Sequence, residues 1–296
     1  MEKVYLDNFS IVLDSFKCNR NCPYCIAKND KRFTFEGNED FTQLDSLFKK
    51  ISKQQIHFRK VMILGNGEPA LYPYEELNKI VKAILNNKEL FDKVRLYTSG
   101  IVFNKTRVFN LFNNLSKQGI DCEFVPLIVT IDEKIDQSVL GHKSRYLNTN
   151  NFKKAKVIKL DIALTDYLNI KTFISDIKTF LDNNYNISTV KFRILRLGKD
   201  LNSKQSQWGL KHAYSKEQIV EFKKLISDNF AVNGDPINCN YKGAKFGFGK
   251  ERTPSRFVVW AKNKLMDFYE DEIRPEDIRT LHSEKNLGVY GSNQNK

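Results

Sequence analysis

The 296-residue chain has no run of apolar residues long enough to span a bilayer, and Asp7 and Asp14 interrupt its opening stretch, MEKVYLDNFSIVLDSFKC. That pattern fits neither a secretory signal nor a membrane anchor, so the expectation is a soluble, cytoplasmic protein. Histidine is scarce, at four residues, and cysteine is limited to five. An odd number of cysteines without a leader is not a disulfide framework. Arginine is also sparse: 12 of the 48 basic residues, against 36 lysines, in a chain whose net charge is +13. Recognition of phosphates and base edges leans on the arginine fork, so this excess, spread along the chain beside 29 asparagines, reads first as a solvated surface. Two local concentrations stand out, Lys153, Lys154, Lys156 and Lys159, then Lys242, Lys245, Lys250, Arg252 and Arg256. Either would suit an anionic small molecule. Internal repeats and low-complexity segments are absent, and at 41% hydrophobic and 28% charged a chain of this size can bury a core without staples.

Three of the five cysteines fall within eight residues, as Cys18-Asn19-Arg20-Asn21-Cys22-Pro23-Tyr24-Cys25. Three thiolates on one tight loop can grip a metal centre from one side. A structural zinc site needs four closed ligands, and the nearest histidine, His57, is far outside the spacing that zinc ribbons use. An iron–sulfur cube normally takes four cysteines, so three leave one iron open to a substrate or cofactor.

Hydrophobic periodicity predicts strands at 9–13, 61–64, 94–97, 123–131, 157–164 and 190–197. Helical patterns fall between them, at 41–51, 73–85, 106–115, around 132–147 and at 171–181. Strands alternating with helices imply right-handed crossovers and a parallel sheet. Six units are too few for a closed eight-stranded barrel, and the expected fold is α/β, a partial (βα)6 TIM-like barrel with a C-terminal α+β extension. The expected division is a core at 1–198, an extension at 199–282 that covers the barrel and binds substrate, and a polar tail at 283–296. Within the extension, 216–230 reads as an amphipathic helix, 243–249 as a Gly–aromatic loop, and 256–260 with 265–268 as a hairpin. Ligands in parallel α/β folds bind at the carboxyl ends of strands. The cysteine loop, Gly65–Pro69, Thr98–Gly100 and Asp132 all fall at such ends.

The Cys-x3-Cys-x2-Cys loop with an aromatic before its last cysteine, followed by Asn66-Gly67-Glu68-Pro69 after the second strand, resembles the radical S-adenosylmethionine (radical SAM) enzymes, single-cluster type, over about residues 9–197. The resemblance implies that Cys18, Cys22 and Cys25 ligate a 4Fe-4S cluster whose open iron is chelated by S-adenosylmethionine. Gly65–Pro69 is similar to the family's Gly-Gly-Glu-Pro segment, with Asn66 at the first glycine, and would offer backbone acceptors to the methionine ammonium. By the same resemblance Thr98 and Ser99 would meet the carboxylate or ribose, and Thr130 and Asp132 the ribose hydroxyls. Arg193, or its competitor Arg196, would pair the methionine carboxylate, and Tyr24 would lie against the adenine. A helix-capping role is the alternative for the Asp and Ser residues among them.

The implied activity is reductive cleavage of S-adenosylmethionine to a 5′-deoxyadenosyl radical, which abstracts hydrogen from a small, anionic or nucleotide-like substrate. Implied partners are that substrate and an electron donor such as flavodoxin or ferredoxin. Cys122 and Cys239 are too few for a second cluster, so the Cys-rich extension of peptide-maturing relatives is missing. Cys122 reads as a small buried apolar residue, and His142 as the histidine facing the pocket. Two other readings remain: the same chemistry on a peptide or nucleic acid, and a non-enzymatic metal module that binds nucleic acid.

Overall fold

The computed structural model describes residues 3–13, 17–25, 39–143, 145–147, 149–195, 200–249, 257–261, 263–266 and 274–278. Arg196, His282, the basic residues 250, 252 and 256, and the tail at 283–296 lie outside the described residues.

Strand β1 (Val4–Leu6) leads into β2 (Asn8–Leu13). After the cysteine loop come α1 (Gln43–Ser52), β3 (Ile56–Phe58), β4 (Val61–Gly65), α2 (Tyr74–Asn86) and β5 (Lys93–Thr98). Next are α3 (Thr106–Asn113), β6 (Asp121–Ile128), α4 (Glu133–Leu140), α5 (Asn150–Lys154), β7 (Val157–Ala163), α6 (Ile170–Asp182) and β8 (Ile187–Arg193). The remainder holds α7 (Lys204–His212), α8 (Lys216–Phe230), β9 (Ala231–Val232), β10 (Asp235–Tyr241), β11 (Ala244–Phe248), β12 (Phe257–Ala261) and β13 (Lys264–Met266).

Strands β2, β4, β5, β6, β7 and β8 are neighbours in that order, all parallel, and form the expected six-unit, partial TIM-barrel-like core. Strands buried on both faces read as nearly continuous apolar runs, as Phe124-Val125-Pro126-Leu127-Ile128 on β6 does. Helices cover the outer face. Phe124 stacks on Phe109 of α3 with ring centres 5.4 Å apart, and Phe192 of β8 meets Phe222 of α8 edge-on at 4.9 Å. Each such pair adds about 0.5–1.5 kcal/mol beyond its buried area.

The sheet does not stop at six strands. β12 adds in parallel beside β2 and β11 in parallel beside β8, while β13, β10 and β9 pair antiparallel at the two ends. Residues 243–249 are therefore largely the strand β11 and not a loop. Phe246 and Phe248 alternate onto the helical face, where Phe246 stacks on Phe230 at 4.3 Å. The hairpin expected near 256–268 is present as β12 and β13, and its Trp260 is buried against Phe41 at 5.3 Å.

Candidate functional site: the cysteine loop and the strand ends beneath it

The cysteine loop leaves the end of β2 and is tied down at two places. The first is Glu68. Its backbone N–H donates to the Lys17 carbonyl at 2.9 Å, and its buried carboxylate accepts from the Ala70 N–H at 2.9 Å, the Thr98 hydroxyl at 2.7 Å and the Ser99 N–H. The Ser99 hydroxyl donates to Asn19 Oδ1 at 2.6 Å, so the loop, the turn after β4 and the end of β5 share one network. Both hydroxyls of the Thr98-Ser99 pair are thus engaged within the protein.

The second tether is Arg20, buried under the loop. It donates to the Leu127 carbonyl and the Tyr146 hydroxyl, and lies 3.7 Å from the Asp136 carboxylate. Asp136, fully buried on α4, also accepts from the Val129 N–H at 2.8 Å and the Tyr146 hydroxyl at 3.2 Å. His142 Nε2 lies 3.2 Å from the same carboxylate. Asn21 N–H donates to the Leu140 carbonyl at the end of α4 at 2.7 Å. Desolvation works against the Arg20 charge, but Tyr146 and Asp136 hold its pKa above the usual value. His142, expected at the pocket, belongs to this buried support.

Between the tethers the three cysteines form no disulfide, with Cys18 exposed and Cys22 and Cys25 half-buried. Cys25 N–H donates to the Cys22 carbonyl at 3.2 Å, a turn that keeps these two close. Among the described residues, no three His, Cys, Asp or Glu side chains converge tightly enough for a single metal ion. Thiols that each take a different iron of one cluster need not converge so closely. Besides Arg20 Nε in the tether, the pair Tyr24 Oη and Asn66 Nδ2 are buried polar atoms at the loop with no hydrogen-bond partner in the protein. An orphaned buried donor costs about 1–3 kcal/mol, so such a pair marks a place for a polar ligand. The donor set therefore fits a cluster with a polar cofactor beside it.

Other candidates sit as follows. Asp132 caps α4, accepting from the Lys134 and Ile135 N–H groups at 2.9 and 3.3 Å, and Thr130 Oγ1 accepts from the Asp132 N–H at 3.3 Å. Both line a cavity of about 670 Å³ bordered by α6. Arg193 closes on Asp161 of β7, with its Nε at 2.7 Å and a terminal nitrogen at 2.6 Å from one carboxylate oxygen. Gly67 and Pro69 hold the turn around Glu68. The lysine concentration at 153–159 does not make one patch: Lys156 pairs with Asp121 at 2.6 Å, and Lys159 turns to Glu123 at 3.3 Å. Lys242 pairs with Asp182 at 2.7 Å. Burial pushes the Cys122 thiol far above its ordinary pKa, which suits an inert core residue.

Sequence reasoning misses Asn19, Arg20, Asp136 and Tyr146, and also Trp208 of α7, whose ring lies 5.4 Å from Tyr24 and stacks on Tyr167 at 6.1 Å. A charged residue inside the cysteine loop is the one available signal for Arg20.

The three-cysteine loop therefore sits over the carboxyl ends of a partial parallel barrel. The family model of the radical SAM superfamily matches residues 12–131, from β2 through the turn that holds Thr130. In fold, the chain is similar to native anSMEcpe with bound AdoMet and Cp18Cys peptide (17% identity, TM-score 0.50) and to hexahistidine-tagged anSMEcpe with bound AdoMet (17%, 0.52). Each likeness covers 75% of this chain and 59% of the other, so the chain spans about three-fifths of those proteins. No curated protein matches it. The family-model match supports membership of the radical SAM superfamily over residues 12–131. Among the described residues, no helix is long and apolar enough to cross a membrane.

Proposed function

We propose that the chain cleaves S-adenosylmethionine reductively and abstracts hydrogen from a small anionic or nucleotide-like molecule held in the barrel. The network that joins the cysteine loop through Asn19 and Ser99 to Glu68 carries this reading. It ties the cysteine loop to the strand ends, where ligands bind in parallel barrels, and so supports a cofactor held by that loop.

Cys18, Cys22 and Cys25 would hold a 4Fe-4S cluster. When bound, that cluster would supply the one-electron reduction that cleavage of S-adenosylmethionine requires. The chain's own groups bind and orient. Asn66 Nδ2 and Tyr24 Oη are donors waiting for acceptors on the cofactor. The Gly67 turn, kept in shape by Glu68 and Pro69, offers its backbone to the methionine ammonium. Thr98 and Ser99 keep that turn in register with β5, and Thr130 and Asp132 fix the turn after β6. Arg193 can share its guanidinium between Asp161 and the methionine carboxylate. Trp208, packed on Tyr24, supports a covering role for residues 199–282 and helps exclude water from a radical. The electron enters from a donor such as flavodoxin or ferredoxin.

The test is anaerobic purification with iron and sulfide analysis, then incubation with S-adenosylmethionine and a reductant. Wild type should carry about four irons and form 5′-deoxyadenosine, and Cys22→Ala should do neither. Equal yields from the two proteins would overturn the reading.

A further inference from the structure

The inner face of the barrel carries a charge load that the cluster site does not use. On β5 to β8 the apolar residues Leu96, Phe124, Leu160 and Phe192 are buried, Phe124 and Phe192 against the helices, and the intervening positions face inward. Those positions include Lys93, Arg95, Glu123, Lys159, Asp161, Lys191 and Arg193. Glu123 is shared by three cations, Lys93 at 3.2 Å, Arg95 at 2.6 Å and Lys159 at 3.3 Å. Asp161 is taken by Arg193 at 2.6 Å. Lys60, just before β4, lies among the same charges, with Asp7 also acting on it. Six cations therefore face three carboxylates, and three positive charges are left over.

Lys191 concentrates the imbalance. It is half-buried, it has no ion-pair partner among the described residues, and its stem runs beside Gly249 at the end of β11. Burial lowers its pKa, Arg193 lowers it further, and Asp161, already paired, only partly opposes them. A half-buried ammonium without a counter-ion weakens a fold, and an apolar residue of similar shape would serve packing better. A charge kept at such a cost points to a ligand of opposite sign. The position is two residues below the end of β8, on the side where parallel barrels bind ligands.

We propose that the inner face around Lys191 is a phosphate-binding site that anchors a phosphorylated small-molecule substrate. Resting on the reading of this barrel end as the substrate chamber, it adds the chemical class of the substrate and the residue that selects it. A phosphate ester brings about two negative charges and three acceptor oxygens, which matches the surplus better than the single charge of a carboxylate. Arg95 and Lys159, which also act on Lys191, form the flank that such a group would neutralise.

The test is calorimetric titration of the full-length, cluster-loaded protein with inorganic pyrophosphate and with acetate at equal ionic strength. Wild type should bind pyrophosphate and not acetate. Lys191→Gln should weaken pyrophosphate binding by about tenfold or more, and Lys216→Gln, an exposed control on α8, should leave it unchanged. Lys191→Met should lose binding while raising the thermal midpoint, the opposite of what a lysine kept for stability would do. Wild-type binding of acetate equal to that of pyrophosphate would overturn the inference, as would undiminished binding by Lys191→Gln. Titrating Cys22→Ala in parallel separates the two claims, because phosphate binding needs no radical: a protein that makes 5′-deoxyadenosine but ignores pyrophosphate refutes only this inference.

Discussion

The Thr98 hydroxyl donates to the Glu68 carboxylate across 2.7 Å, and that contact locks the turn after β4 to the end of β5. The same carboxylate satisfies the Ala70 and Ser99 N–H groups, so three buried donors depend on one side chain. Glu68→Ala orphans all three and should cost about 3–5 kcal/mol, measured as a shift in the urea midpoint. Glu68→Gln keeps one acceptor oxygen but turns an amide donor toward another donor, and should cost about 1–3 kcal/mol. A Glu68→Ala protein as stable as wild type would mean that the network does not hold the loop.

Arg20 and Asp136 make a second test. Both are buried, and Asp136 serves Arg20, Val129, Tyr146 and His142 together. Removing one partner of a buried pair leaves an uncompensated charge, so Asp136→Ala should cost about 3–5 kcal/mol. The double variant Arg20→Met with Asp136→Leu should recover part of that loss, and a double-mutant cycle in urea reads the coupling. Additive losses would show that the two side chains do not act as a pair.

Gly100, directly after Ser99, has φ +94°, and a Cβ there would overlap the Tyr146 ring. Gly243 has a similar φ of +89° but open space around it. Gly243→Ala should therefore cost only backbone strain, about 1–2 kcal/mol. Gly100→Ala should add overpacking of about 1–3 kcal/mol to that. Thermal midpoints of the two variants give the difference, and equal shifts would show that the Tyr146 ring yields.

Local signals explain what is legible in the sequence and what is not. Helix α8 lies where its amphipathic pattern and the Ser215–Gln218 capping box put it, and the six barrel strands lie where apolar runs meet turn residues. Helix α7 is hidden because Gln205-Ser206-Gln207-Trp208-Gly209 has weak propensity and no apolar stripe, although its N-cap Ser203 is a usable sign. β11 reads as a loop because its glycines mask the alternation of Ala244, Phe246 and Phe248. In the site, cysteine spacing and the turn containing Glu68 are local and can be read. The Arg20–Tyr146 contact joins residues 126 positions apart, and no periodicity encodes it.

Lys60 supplies a pH test of the charged barrel interior. Burial, aided by Arg95 and opposed by Asp7 and Glu123, pushes its pKa down to about 8. The unfolded chain holds that proton up to about pH 10.4, so between about 8 and 10.4 the unfolded state binds more protons than the folded one. Stability contributed at this position therefore rises with pH across that window and is flat below it. Tyrosines and thiols of the unfolded chain also titrate there, so the quantity to measure is wild type minus Lys60→Met. The urea midpoint of wild type should gain on that of the variant between about pH 7 and pH 10. Lys60 is only partly buried, so solvent screening keeps the gain modest. A difference that stays constant over the range would mean that Lys60 keeps its charge and that the interior holds its surplus without strain.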